Sequence, residues 1–260
     1  MENINQPVAE EKVPLSAKPK KPKLSPAFSN FESSVKLWWK NLEKFIGIFL
    51  WGLLYSLLPL VVVLAFFGLG YFAGLIGNIV FTIIGALIAI VGVALAIYFA
   101  TRFYIVNFLF VKENFSGAIS DLYKKTRSLF WPYFWLSILS SVLIILWSLL
   151  LIIPGIIFSI FYSLAAYVFF FEGKRGMEAI RRSKSLIKNY WWAVLGRLAF
   201  FALVIWLFMI VISIPTFIAG EESTFSMIWS FVIQIISFII GPIALLYSYN
   251  IYKELVEIKK

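Results

Sequence analysis

Apolar residues come in long blocks along this chain. From Phe45 to Val111 there are 67 nearly uncharged residues, and further blocks occupy about 131–153, 156–171, 192–216 and 225–251. An α-helix needs about 20 apolar residues to cross roughly 30 Å of hydrocarbon, and it satisfies its backbone polar groups internally on the way. The blocks therefore predict transmembrane helices. By length the first block could hold three spans, but three would carry the basic segment 111–130 to the opposite side from the other basic segments. Two are expected, about 45–67 and within 79–110. The glycine-rich GLGYFAGLIG between them reads as a tight turn or a loosely packed helix start.

Polar stretches separate the blocks, and two of them share a design. ENFSGAISDLYKKTRSLFW puts Phe115, Ile119, Leu122, Tyr123 and Thr126 on one helical face and Asp121, Lys124, Lys125 and Ser128 on the other. EGKRGMEAIRRSKSLIKNYWW puts Met177, Ile180, Ser183, Ile187 and Tyr190 on one face and Arg181, Arg182, Lys184 and Lys188 on the other. Both predict amphipathic elbow helices lying in the headgroup plane. Ala118 and Ala179, Trp131 and Trp192, and Pro154 and Pro215 are each 61 positions apart. The spacing indicates an internal repeat of about 61 residues, with units about 91–154 and 155–215. Ahead of the first block, Phe31, Val35, Trp38, Leu42 and Phe45 recur at helical spacing after Ser29 and Glu32, which fit a capping box.

The expected fold is thus all-α, a polytopic transmembrane helical bundle of about six spans with cytoplasmic elbow helices. Residues 1–28, containing AKPKKPKLSP, read as a disordered basic cytoplasmic tail that serves as an orientation signal or captures lipid or a partner. Residues 29–252 form the six-span domain, and 253–260 a second cytoplasmic tail. No signal-peptide core is visible before Phe45.

Composition sharpens this reading. The chain is 62% hydrophobic and 14% charged, with a mean hydropathy of +0.92, far from the balance of a soluble domain. It contains neither cysteine nor histidine, which excludes disulfides, thiolate nucleophiles, Cys/His metal sites and the usual neutral-pH base. Lysine and arginine number 23 and cluster in the tail, the two elbows and the C-terminus, which places all four on the cytoplasmic side. Basicity of this kind addresses anionic lipid rather than nucleic acid. The candidate anionic-phospholipid contacts are Lys124, Lys125, Arg127, Lys174, Arg175, Arg181, Arg182, Lys184 and Lys188.

Within the spans the only charges are Arg102 and Arg197. They either snorkel to the interface or anchor the ends of their helices there, or they line an inward basic cavity for phosphate-bearing headgroups. Asn78, Asn107 and Gln234 are expected to make interhelical hydrogen bonds. Gly173 and Gly176 flank Lys174-Arg175 without the spacing of a nucleotide phosphate loop.

Pro154-Gly155-Ile156, Tyr167, Glu172-Gly173, Ala179-Ile180-Arg181-Arg182-Ser183 and Trp191-Trp192 together form a recognisable pattern. It resembles the membrane domain that accompanies some glycerophosphoryl diester phosphodiesterases and that also occurs as stand-alone prokaryotic membrane proteins. The resemblance covers roughly residues 90–252. It implies a multi-helix module of a prokaryotic plasma membrane, not the hydrolase, whose separate soluble barrel uses histidines, acids and a metal ion. No catalytic, cofactor or metal residue carries over. The expected role is non-enzymatic: a scaffold or lipid-handling module contacting anionic phospholipids, with a transporter for an anionic or lipid-like substrate as the alternative.

Overall fold

The structure, a computed structural model, describes residues 23–75, 79–220 and 223–259, and no strand occurs among them. Helix α1 (Ala27–Lys40) leads through Asn41 into α2 (Leu42–Leu75), followed by α3 (Ile79–Lys112) and α4 (Ile119–Leu150). Next come α5 (Ile152–Tyr162), the short α6 (Ala165–Tyr167) and a π-helical turn, Val168–Glu172. Helices α7 (Gly176–Ile187), α8 (Trp191–Ala219) and α9 (Thr224–Ile258) complete the chain. Among the described residues, five segments are long and apolar enough to cross a membrane: Ile83–Lys112, Ile119–Leu150, Ile152–Glu172, Trp191–Ala219 and Thr224–Ile258. The molecule is an all-helical, multi-pass membrane protein.

Consecutive helices pack as hairpins, α2 on α3, α4 on α5 and α8 on α9, while α1 lies across α8 and α9 and α7 packs on α4 and α5. The core sits at one end. It joins Phe45 and Ile48 of α2, Ile105–Val111 of α3, Leu122, Tyr123, Phe130 and Leu136 of α4, and Leu164–Phe170. Ala179, Ile180, Leu186 and Ile187 of α7 and Leu246, Tyr247, Ile251 and Leu255 of α9 close it. These segments adjoin the basic stretches, so the packed end is the basic end. Elsewhere large apolar side chains lie open, among them Ile90, Val93, Leu149, Ile152, Trp206, Val211 and Phe231. Hydrocarbon tails are as apolar as leucine, so nothing drives such surfaces together in a bilayer.

Several expectations about local structure are corrected. The glycine-rich segment is helical over its described residues: α2 continues through Gly68 and Gly70 to Leu75. In hydrocarbon an unsatisfied backbone group costs more than the modest helix penalty of glycine. The first elbow is not a separate interfacial helix, because α4 runs unbroken from Ile119 through Pro132 to Leu150. Proline deprives only the carbonyl four residues back, that of Ser128, and Ser128 is exposed. The second elbow is a separate helix, α7, divided from α8 by residues 188–190. The tryptophans 61 positions apart, Trp131 and Trp192, are both exposed, at 61% and 79%.

At the N-terminus, the tail is ordered earlier than residue 29. Leu24 is buried, Ser25 N–H donates to Glu254 Oε2 at 3.0 Å, and α1 starts after Pro26 with no side-chain cap, so Ser29 and Glu32 form no capping box. Residues 253–258 belong to α9, with Leu255 buried, and are not a free tail. Residues 1–22, Asn78, Glu221 and Glu222 lie outside the described residues. Pro154 sits in the first turn of α5, after α4 has ended at Leu150. A proline lacks only a donor that the first helical turn leaves unused.

Candidate functional site

Two features at the basic end could act on another molecule: the exposed cations of the elbows and a large apolar cavity beneath them. The cations sort by their partners. Lys124 pairs with Asp121 at 3.1 Å, Lys125 with Glu113 at 2.5 Å, and Lys174 with Glu178 at 2.6 Å. Arg182 does not face water as expected: it is half-buried and pairs with Glu172 at 3.0 Å, to which Tyr252 also donates. Lys184 stands over the Phe158 ring at 5.0 Å. Arg127, Arg175, Arg181 and Lys188 remain exposed, with no ion pair among the described residues.

Positive charge is concentrated around α7. The Lys259 amine donates to the Ser185 carbonyl, and its pKa is held below the ordinary lysine range by burial, then by the neighbouring Arg182 and Lys188 charges. Backbone geometry explains the glycines here. Gly173 ends the π-helical turn at φ 73° and Gly176 opens α7 at φ 50°, both in the left-handed region that favours glycine. Ser183 of α7 donates to the Phe161 carbonyl at 2.7 Å, satisfying a carbonyl freed where α5 ends.

Both arginines of the apolar blocks are held by hydrogen bonds within the bundle. Arg102, only 7% exposed, donates through Nε to Thr126 Oγ1 at 2.7 Å and through Nη2 to the Tyr123 carbonyl at 2.8 Å. Thr126 in turn donates to the Tyr123 carbonyl at 2.7 Å, closing a triangle between α3 and α4. The Tyr98 and Tyr123 rings lie 5.4 and 5.8 Å from the guanidinium. Arg197 is half-buried and donates from Nε to the Ser25 carbonyl at 3.0 Å, and from Nη1 to the Ala193 carbonyl at 2.7 Å. The two arginines are structural ties, one holding α3 to α4 and the other holding residue 25 to α8.

The cavity is partly open, has a volume of about 1340 Å³ and is walled by α2, α3, α4, the α5–α6 junction and α9. Phe49, Phe103 and Phe238 meet on its wall, with centroids 5.7 Å apart for Phe49–Phe238 and 6.2 Å for Phe103–Phe238. Two tyrosines brace the helices around it: Tyr123 donates to the Ile48 carbonyl at 3.0 Å and Tyr167 to the Leu245 carbonyl at 2.9 Å. Its described lining carries no charged side chain, so it is not the basic headgroup cavity that the two arginines would have formed. Asn107 and Gln234 do line it. Asn107 makes no interhelical bond: its Nδ2 donates to the Phe103 carbonyl of its own helix at 2.8 Å, and its buried Oδ1 has no partner among the described residues.

Sequence periodicity located the elbows but missed this cavity. Its available signal was the polar Asn107 within an apolar block, in line with Ala96, Ala100 and Phe103 at helical spacing. Comparison with family models, with curated proteins and with solved structures finds no match to this chain.

Proposed function

We propose that this protein is a non-enzymatic module of a prokaryotic plasma membrane whose basic end engages anionic phospholipid headgroups, as a scaffold or in lipid handling. Helix α2, with 34 residues, supplies a sixth span beside the five above. Six spans and the charge bias put both termini in the cytoplasm, with the two elbow segments as counterparts in an internal repeat. The observation that carries the reading is the set Arg127, Arg175, Arg181 and Lys188, exposed cations without ion pairs at the rim where the apolar surface begins. Each cation near a membrane surface gains about 1 kcal/mol from anionic lipid. The membrane module implied by the motif resemblance fits this role and brings no catalytic residue with it.

The test is native mass spectrometry of protein released from nanodiscs containing phosphatidylglycerol and phosphatidylcholine. The wild type is set beside the combined variant Arg127→Gln, Arg175→Gln, Arg181→Gln and Lys188→Gln. Retained phosphatidylglycerol that is lost from the variant supports the reading. Equal retention reduces these charges to topology signals and sinks it. Transport is the second reading, favoured by the cavity between α2, α3, α4 and α9, and it requires that reconstituted protein move an anionic or lipid-like substrate across liposomes.

A further inference from the structure

We propose that Arg182, Lys188 and Lys259 form a binding site for a phosphomonoester dianion, the terminal phosphate of a lipid such as phosphatidic acid or of a small solute. The site shares Lys188 with the cationic rim but takes its geometry from Arg182 and Lys259, which the rim set does not include. It therefore goes beyond the headgroup reading and does not rest on it.

Two helices build the site from residues distant in sequence. The Lys259 amine, just beyond α9, donates to the carbonyl of Ser185 on α7, 74 positions away. Arg182 and Lys188 stand three positions to either side of Ser185, just under one helical turn each way and on the same side of the helix. At 1.5 Å per residue they are about 9 Å apart along the axis, with the amine between them. Three positive charges thus gather around one carbonyl. Their donors are not used up. Arg182 reaches Glu172 through Nε alone, at 3.2 and 3.0 Å to the two carboxylate oxygens, and Tyr252 donates to the same carboxylate at 3.3 Å. The guanidinium is held by its base, while Nη1 and Nη2 have no partner among the described residues and the side chain is 32% exposed. Lys259 spends one of three N–H donors on Ser185, and the exposed Lys188 amine has no bond among the described residues.

Charge balance sets the ligand class. Three cations against one carboxylate, Glu172, leave two positive charges over. The other nearby acids do not offset them. Glu178, one turn before Arg182, is paired with Lys174 at 2.6 Å, and Glu257 lies two positions before Lys259, about 200° round the helix. Burial and the like charges of Arg182 and Lys188 hold the Lys259 pKa down, so the cluster repels itself until an anion enters. A phosphodiester carries one negative charge. A phosphomonoester carries about 1.5 to 2 near neutral pH and three strong acceptor oxygens. The outward fork of Arg182 matches two of those oxygens side by side, and the two amines meet the third.

The experiment has a lipid arm and a soluble arm. In the first, phosphatidylcholine nanodiscs carry equal amounts of phosphatidic acid and phosphatidylglycerol, and native mass spectrometry reads which is retained. In the second, glycerol 3-phosphate is titrated calorimetrically into protein in phosphatidylcholine nanodiscs. The wild type should retain phosphatidic acid about tenfold over phosphatidylglycerol, the gain from one further charge-assisted hydrogen bond, or bind glycerol 3-phosphate, or both. Preference for phosphatidic acid without solute binding assigns the site to a lipid, and solute binding without that preference assigns it to a soluble phosphomonoester. Lys259→Gln keeps an amide donor for the Ser185 carbonyl and removes the charge, and Arg182→Lys keeps a cation for Glu172 and removes the fork. Each should abolish the preference or the heat of binding. Lys259→Gln carries the test alone should Arg182→Lys loosen the fold, because Lys259 lies beyond α9. Parity of the two lipids in the wild type together with no solute binding overturns the proposal, as does a preference or a heat that survives Lys259→Gln. The variant Arg127→Gln, Arg175→Gln and Arg181→Gln should lower retention of both lipids alike and leave their ratio unchanged. Retention that stays at the wild-type level in it counts against the headgroup reading alone.

Discussion

The triangle of Arg102, Thr126 and Tyr123 can be taken apart one group at a time. Thr126→Val keeps the branched shape and nearly the same helix propensity but deletes the hydroxyl. The Tyr123 carbonyl keeps its bond from Arg102 Nη2 at 2.8 Å, whereas Nε of a guanidinium only 7% exposed loses the acceptor that it reaches at 2.7 Å. Hydrogen bonds to charged groups contribute about 1.5–3 kcal/mol, and orphaning the charged partner adds its desolvation. Interhelical bonds within bilayers average only about 0.6 kcal/mol, because the separated helices find other partners. A fixed charge buried among aromatic rings has fewer alternatives, so the variant should lose about 2–3 kcal/mol.

Arg102→Met completes the cycle. It removes the cation while Thr126 still donates to the Tyr123 carbonyl at 2.7 Å, so that acceptor stays satisfied. The double variant has no charge to orphan, and the Tyr123 carbonyl, though it loses both side-chain donors, keeps its backbone bond within α4, so the loss should fall short of the sum of the single losses by about 2 kcal/mol. Reversible unfolding in bicelles, followed by steric trapping across the α3–α4 contact, measures all four corners. Additivity within about 0.5 kcal/mol would mean that the guanidinium is hydrated elsewhere, and the structural account of Arg102 would fail.

Two further outcomes follow from backbone geometry. A Cβ on Gly155 would sit 2.9 Å from Ser148 Cα, a backbone atom that cannot swing aside, so Gly155→Ala should splay the α4–α5 hairpin and cost about 1–3 kcal/mol in the same unfolding assay. Gly173 has φ 73° and open space around its Cα, so Gly173→Ala should cost only the left-handed penalty of about 1–2 kcal/mol, with Gly173→Asn recovering part of it.

Apolar block length and charge placement made most of the architecture legible. The helices at about 131–153, 192–216 and 225–251 appear where those blocks predict them, because a membrane-spanning segment has only one way to satisfy its backbone. The inward face running from α1 into α2 was equally readable: Trp38 of α1 and Phe45 of α2 are buried, and Phe31 and Val35 pack against the core. Helix ends were not. The continuity of α4 through Pro132 depends on where one freed carbonyl can find water, and the ordering of Ser25 depends on Arg197 and Glu254, residues distant in sequence. The cations were visible as a set, yet their sorting was hidden. Glu172 pairs with Arg182 across ten positions, which no local pattern shows, and Arg197 finds its acceptor at Ser25, 172 positions away.

Helix length also relocates the charges that looked intramembrane. Helix α3 has 34 residues and extends about 51 Å, some 20 Å more than the hydrocarbon layer. Its core contacts lie in its last third, from Ile105 to Val111, so the excess belongs at the basic end. Arg102 is ten residues from Lys112, about 15 Å, which places it within that overhang rather than at the bilayer centre. Arg197 is six residues from the start of α8, about 9 Å, and lies at the same end. Neither arginine then carries the full cost of a charge in hydrocarbon, and hydrogen bonds to carbonyls and a hydroxyl suffice to hold them.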